Sequence, residues 1–201
     1  MIFKLGILAS GNGTDLNAIY KEMDEGKMPG VEVAIVVSNV EGAPVLGKAD
    51  ARGLRTEFVN PNGKSKEDYD LELVSLMKEA EVDLVCLIGY MKVLTPVFVR
   101  EFPRHIINVH PALLPKYGGH GWYGMKVHEE VLKNHEKETG MTVHYVDYGV
   151  DSGAMILQEK VAVAEDDTPE TLKVKVQALE KKAYPEAIRL ICKERTGKLG
   201  G

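Results

Sequence analysis

The chain has 201 residues, 44% of them hydrophobic, with two cysteines, a formal charge of -5 and a pI near 5.7. That length and apolar content suffice for one compact core. The acidic balance argues against a nucleic-acid backbone or an acidic membrane surface as partner, but leaves room for a locally positive site that takes a small anion.

The first strand is expected over 3–9. Its apolar stretch is too short and too lightly charged for a signal peptide, and no later segment approaches a membrane span, so a soluble cytoplasmic protein is expected. The strand runs into Ser10-Gly11-Asn12-Gly13-Thr14-Asp15-Leu16, and a helix follows over 16–25. Two glycines let the backbone turn tightly and bring N–H groups to an anion, which the positive end of the helix also attracts. A second strand, 31–37, closes in Ser38-Asn39 instead of an acidic residue, and the turn lacks the third glycine of the dinucleotide fingerprint. A mononucleotide or sugar phosphate therefore suits the turn better than a nicotinamide dinucleotide.

Helices over 43–52 and 66–79 alternate with strands over 56–59, 82–88 and 105–109. Strands apolar on both faces, separated by helices, indicate a Rossmann-like, mostly parallel α/β sheet. Cys86, inside an apolar run, and Cys192, near the end of the last helical pattern, read as reduced core thiols. The fifth strand ends in Asn108-Val109-His110-Pro111-Ala112-Leu113-Leu114-Pro115-Lys116-Tyr117. Asn108 and His110, two apart, point to the same side of the sheet. An amide donor beside an imidazole can steady an oxyanion and move a proton, although a strand end whose polar groups only satisfy loop backbone has the same sequence.

A glycine-rich loop, 118–124, then leads to a helix over 126–134. Two strands, 141–146 and 155–163, read as an antiparallel addition joined by Asp147-Tyr148-Gly149-Val150-Asp151-Ser152-Gly153. Asp151 is a candidate to orient His110, but acidic-glycine spacing is also ordinary turn chemistry, and the residues alone favour the turn. His144 reads as a packed, hydrogen-bonded histidine. His120, His128 and His135 are scattered, with no His-Glu-x-x-His or cysteine pair, so no metal site is expected. The last helix should start with Thr168 as N-cap and Pro169 in the first turn and run towards Cys192, with a bend at Pro185.

Together, the turn from Gly11 to Leu16, the segment from Asn108 to Tyr117 and the segment from Val146 to Gly153 resemble the phosphoribosylglycinamide formyltransferase family of purine biosynthesis, over nearly the whole chain. The resemblance implies a single formyltransferase domain over 1–201, with a phosphate-binding half of about 1–100 and a folate and catalytic half of about 101–192. It also implies transfer of a formyl group from 10-formyltetrahydrofolate, as co-substrate, to the amine of glycinamide ribonucleotide, with no metal. Asn108, His110 and Asp151 fall on the catalytic trio. Gly11, Asn12, Gly13, Thr14 and Asp15, with Gln177 and Glu180, fall on the substrate site. Lys66, Tyr90, Met91, Lys92, Val93, Leu94, Val146 and Asp147 fall on the folate site.

Asp15 stands where the family more often has asparagine, Tyr148 where an acidic residue is common and Ala154 where proline is common. The segment 118–127 is longer than in many relatives, with Trp122 and Tyr123 as a candidate lid. Within the superfamily, formyltetrahydrofolate hydrolysis is the alternative, usually with an added N-terminal domain. Formylation of initiator tRNA goes with an added C-terminal RNA-binding domain, whereas here the last helix is followed only by 194–201. A non-catalytic nucleotide-binding module is the alternative from another class. The expected partners are small molecules, with no nucleic acid and no membrane, and a homodimer is left open.

Overall fold

The structure, a computed structural model, describes residues 2–197, so the last four residues of the tail noted above lie outside it. Strands β1 (Phe3–Ala9), β2 (Val31–Ser38), β3 (Thr56–Phe58), β4 (Leu84–Ile88) and β5 (Ile106–His110) alternate with helices α1 (Thr14–Asp24), α2 (Pro44–Asp50), α3 (Lys66–Glu79) and α4 (Pro96–Glu101). Helix α5 (Met125–Lys133), strands β6 (Glu138–Tyr145) and β7 (Met155–Ala162) and helix α6 (Pro169–Thr196) complete the order. The seven strands form one sheet, β3-β2-β1-β4-β5-β6-β7. The first five are parallel, and β6 and β7 are antiparallel.

Period-two alternation in β1 sends Leu5, Ile7 and Ala9 to one face, where they pack with Leu16, Ile19 and Tyr20 of α1 and Tyr184, Ala187 and Ile188 of α6. Leu8 points the other way, to Tyr69, Leu73 and Met77 of α3 and Phe98 of α4. Both faces of the strand are therefore covered, as its apolar stretch from Leu5 to Ala9 requires. Sequence reading assigned no element to α4, a six-residue helix opened by a proline.

Thr168 caps α6 as expected, in a capping box with Thr171. The helix continues through Pro185 as a single 28-residue element. One residue before that proline, the buried Tyr184 hydroxyl donates to the carbonyls of Leu87 (2.9 Å) and Ile107 (3.1 Å), fixing the helix to β4 and β5. The chain leaves β1 for β2 on one side, while β4 lies on the other. The topological switch point therefore falls where β1 and β4 end, next to the end of β5, and there the site lies.

Candidate active site

Three strand ends and their loops enclose a cavity of about 640 Å³, and residues from all of them line it. From β1 comes the turn Gly11 to Asp15. Gly13 adopts φ 64 at the N-cap of α1, and a Cβ there would lie 2.5 Å from Val45 Cγ2, so only glycine closes this turn against α2. The Val45 N–H donates to Gly11 O (3.1 Å) and the Lys48 ammonium to Asn12 O (2.7 Å). The first backbone N–H groups of α1, which have no partner within the helix, end beside the cavity.

From β4 comes the loop carrying Tyr90, Met91, Lys92, Val93 and Leu94, which all line the cavity. It is anchored at both ends. Ser10 Oγ accepts from Met91 N (2.9 Å) while donating to Asn39 Oδ1 (2.6 Å), and the buried Asp70 carboxylate accepts from Thr95 N (2.6 Å). Met91 and Val93 each stay 59% exposed, an apolar rim left uncovered among the described residues. Lys66, by contrast, is exposed in the first turn of α3 and does not line the cavity. Ser65 caps that helix by accepting from Asp68 N, which holds Lys66 on its outer end.

From β5 come Asn108 and His110. The β5–β6 register sets Asn108 opposite His144, and Asn108 Nδ2 lies 3.3 Å from His144 Nε2. His144 Nδ1 donates to Tyr145 O (2.9 Å), so in the neutral ring Nε2 is the acceptor that orients the Asn108 amide. His110 Nδ1 lies 3.3 Å from Asp151 Oδ2, and His144 Nε2 lies 3.5 Å from Asp151 Oδ1. Asp151 also accepts from Gly119 N at 3.1 Å. Asn108, His144, Asp151 and His110 thus form one connected chain of polar groups. His144, read from sequence as a packing residue, is its middle link. The signal was available in the pairing of two antiparallel strands, but only once their register is known.

Burial alone would push the Asp151 carboxyl up. The neighbouring His144 and His110 imidazoles and the Gly119 N–H nevertheless hold it below the ordinary carboxylate range. Burial pulls His110 below the usual imidazole value, against the opposite pull of Asp151 and the Tyr117 carbonyl. His110 Nε2 donates to Tyr117 O at 2.6 Å. A neutral imidazole has one N–H, whereas this ring faces an acceptor at each nitrogen, so a second proton arriving there finds a partner already in place.

The β6–β7 connection brings Asp151 to this position at φ 56. Gly153 allows it, since a Cβ there would lie 1.8 Å from Tyr145 O. Asp147 Oδ1 accepts from Gly149 N (3.0 Å) and Ser152 Oγ (2.7 Å), so its carboxylate closes the turn while Asp147 and Val146 line the cavity. The proline-bracketed loop after His110 is held by Thr142, which donates to Ala112 O (2.7 Å) and accepts from Leu114 N (3.1 Å). Trp122 and Tyr123 of the glycine-rich loop line the cavity, with Trp122 edge-on to Tyr117 at 5.5 Å.

Gln177 and Glu180 of α6 line the end of the cavity shared with the glycine turn, as do Lys173 and His128, neither of which sequence reading placed in the site. Among the described residues, no group of three or more His, Cys, Asp or Glu could hold a metal ion, and no helix is long and apolar enough to cross a membrane.

A formyl transferase family model matches residues 3–188. The chain is 36% identical over 195 residues to the chloroplastic phosphoribosylglycinamide formyltransferase of Arabidopsis thaliana, covering 96% of this chain and 66% of that protein. It is 37% identical over 190 residues to the trifunctional purine biosynthetic protein adenosine-3 of Drosophila melanogaster, covering 94% of this chain and 14% of that one. The chain therefore spans from about a seventh to just under two thirds of the length of these curated relatives. The crystal structure of glycinamide ribonucleotide transformylase 1 from Symbiobacterium toebii superimposes with a TM-score of 0.90 at 38% identity, covering 96% of this chain and 89% of that one.

Proposed function

Because the chain belongs to the formyl transferase family, we propose that it transfers the formyl group of 10-formyltetrahydrofolate to the amine of glycinamide ribonucleotide, a step of purine biosynthesis. The observation that carries this reading is a single cavity that joins the Asn108–His144–Asp151–His110 chain to two different binding surfaces. One is the glycine turn with Gln177 and Glu180, suited to a ribose phosphate. The other is the anchored loop from Tyr90 to Leu94 with Val146 and Asp147, whose backbone groups and apolar rim suit a flat pterin. The names of the relatives support the same assignment.

The geometry supports the following roles. Asn108 gives one amide hydrogen to His144 and keeps the other for the formyl oxygen, where negative charge develops as the amine attacks. The Asp151–His110 pair takes the amine proton and passes it to the departing folate nitrogen, with no covalent enzyme intermediate. Asp151 holds the ring and stabilises it as a cation. For His110 also to donate to the oxyanion, its Nε2 must leave Tyr117 O, which couples that role to a shift of the loop beginning at Tyr117. The division into a phosphate-binding half and a folate half, the small-molecule partners and a cytoplasmic location belong to the same reading.

The test is to follow folate absorbance with purified protein and 10-formyltetrahydrofolate, with and without glycinamide ribonucleotide. Turnover that depends on the amine supports transfer. Turnover without it identifies a hydrolase, and silence in both identifies a binding module.

A further inference from the structure

Beneath the glycine turn, the cavity presents carboxylates where an anion subsite would ordinarily collect positive charge. Asp15, in the first turn of α1, is 5% exposed and lines the cavity, and its Oδ1 has no hydrogen-bond partner among the described residues. It does not cap the helix, since the N-cap is Gly13 and makes no side-chain bond. Glu180 of α6, 8% exposed, lines the same end.

The charged and titratable groups around this pair come from three helices, α2, α5 and α6. Lys173 and Lys181 lie on α6 with the buried Tyr184, and His128 reaches the cavity from α5. Lys48 of α2 gives its ammonium to the Asn12 carbonyl. Burial pushes the Asp15 carboxyl up to about 6, opposed by Lys181. Burial and then the Asp15 charge push Glu180 up to about 8, opposed by Lys181 and Lys173. Near neutrality the pair therefore holds a proton between them.

The state of that proton decides what the turn accepts. An ionised Asp15 can only accept hydrogen bonds and repels a phosphate dianion, whereas the protonated acid donates one to a phosphate oxygen. Resting on the function proposed above, we infer that Asp15 is a specificity-determining residue that seats the substrate's phosphate monoester only while it carries a proton, so that binding is coupled to a proton kept on the Asp15–Glu180 pair. The charge of the phosphate and the charge of the pair are then read together, and the turn favours its ligand on the acid side.

Two measurements test this. The KM for glycinamide ribonucleotide should rise with pH in the wild type, approaching about tenfold per pH unit once the pair is fully ionised, and should stay nearly flat in Asp15→Asn, whose amide donates without titrating. The phosphate's own ionisation affects both proteins alike. Separately, calorimetry of wild-type protein with ribose 5-phosphate at about pH 8.5, in buffers of different ionisation heat, should show proton uptake that Asp15→Asn lacks. Parallel KM profiles, binding without proton uptake, or no binding of ribose 5-phosphate would each overturn the inference. The calorimetry needs no folate and, for the wild type, no variant. Proton uptake without any formyl transfer would therefore sink the proposed function and keep this role for Asp15.

Discussion

Replacing Asp151 by asparagine removes one charge from the centre of the polar chain and little else. The residue sits at φ 56, a conformation asparagine tolerates, and the amide oxygen can still accept the Gly119 N–H. What disappears is the carboxylate 3.3 Å from His110 Nδ1. Two unit charges at that separation attract by about 5 kcal/mol in an effective dielectric of about 20. Dehydration of two buried groups offsets part of this. If half survives, about 2.5 kcal/mol of stabilisation of the imidazolium is lost, close to 100-fold in rate when His110 holds a proton in the transition state. The assay is kcat at saturating levels of both substrates across pH, with circular dichroism and the urea midpoint as fold controls. We expect kcat to fall roughly 30- to 100-fold. Because the ring becomes a weaker base, the acid-side limb of the profile should move to lower pH. A folded variant keeping more than about a third of wild-type kcat, with an unmoved limb, would refute the reasoning.

Asn108→Ala, which removes the formyl-oxygen donor, should lower kcat by about 100- to 1000-fold while leaving the urea midpoint near wild type. Tyr184→Phe removes the buried hydroxyl that donates to the carbonyls of Leu87 and Ile107 and should cost about 1–3 kcal/mol in urea denaturation. Gly13→Ala forces an alanine to φ 64 and its methyl onto Val45, so both the melting temperature should fall and the KM for glycinamide ribonucleotide should rise. His128 is held down to about 4 by burial and by Lys173. The unfolded chain therefore binds a proton that the folded one refuses between about pH 6.5 and pH 4, and stability drains away as pH falls through that window. His128→Gln should show a shallower loss of urea midpoint across it.

Much of this was legible in the residues because local rules and the fold agree. The alternation of β-branched strands with helices, the cap at Thr168 and the polar pair at the end of the fifth strand all follow from periodicity and from what a parallel sheet must bury. The gaps are where tertiary pairing decides. His144 looks like an ordinary strand histidine until β6 pairs antiparallel with β5 and sets it against Asn108. Helix α4 is six residues long and takes its packing from α3, so no helical period announces it. Lys66 has the right sequence neighbours, but the Ser65 cap holds it on the outside. The burial of Asp15 depends on how α6 lies across α1, which no local pattern around Gly13 encodes.

The most direct test of two substrates meeting in one cavity is to supply 10-formyltetrahydrofolate with an isotope-labelled formyl group together with glycinamide ribonucleotide and to locate the label. Direct transfer predicts the label on the glycine nitrogen of the nucleotide, with tetrahydrofolate formed in equal amount. Label recovered as free formate, at a rate indifferent to the nucleotide, would contradict it.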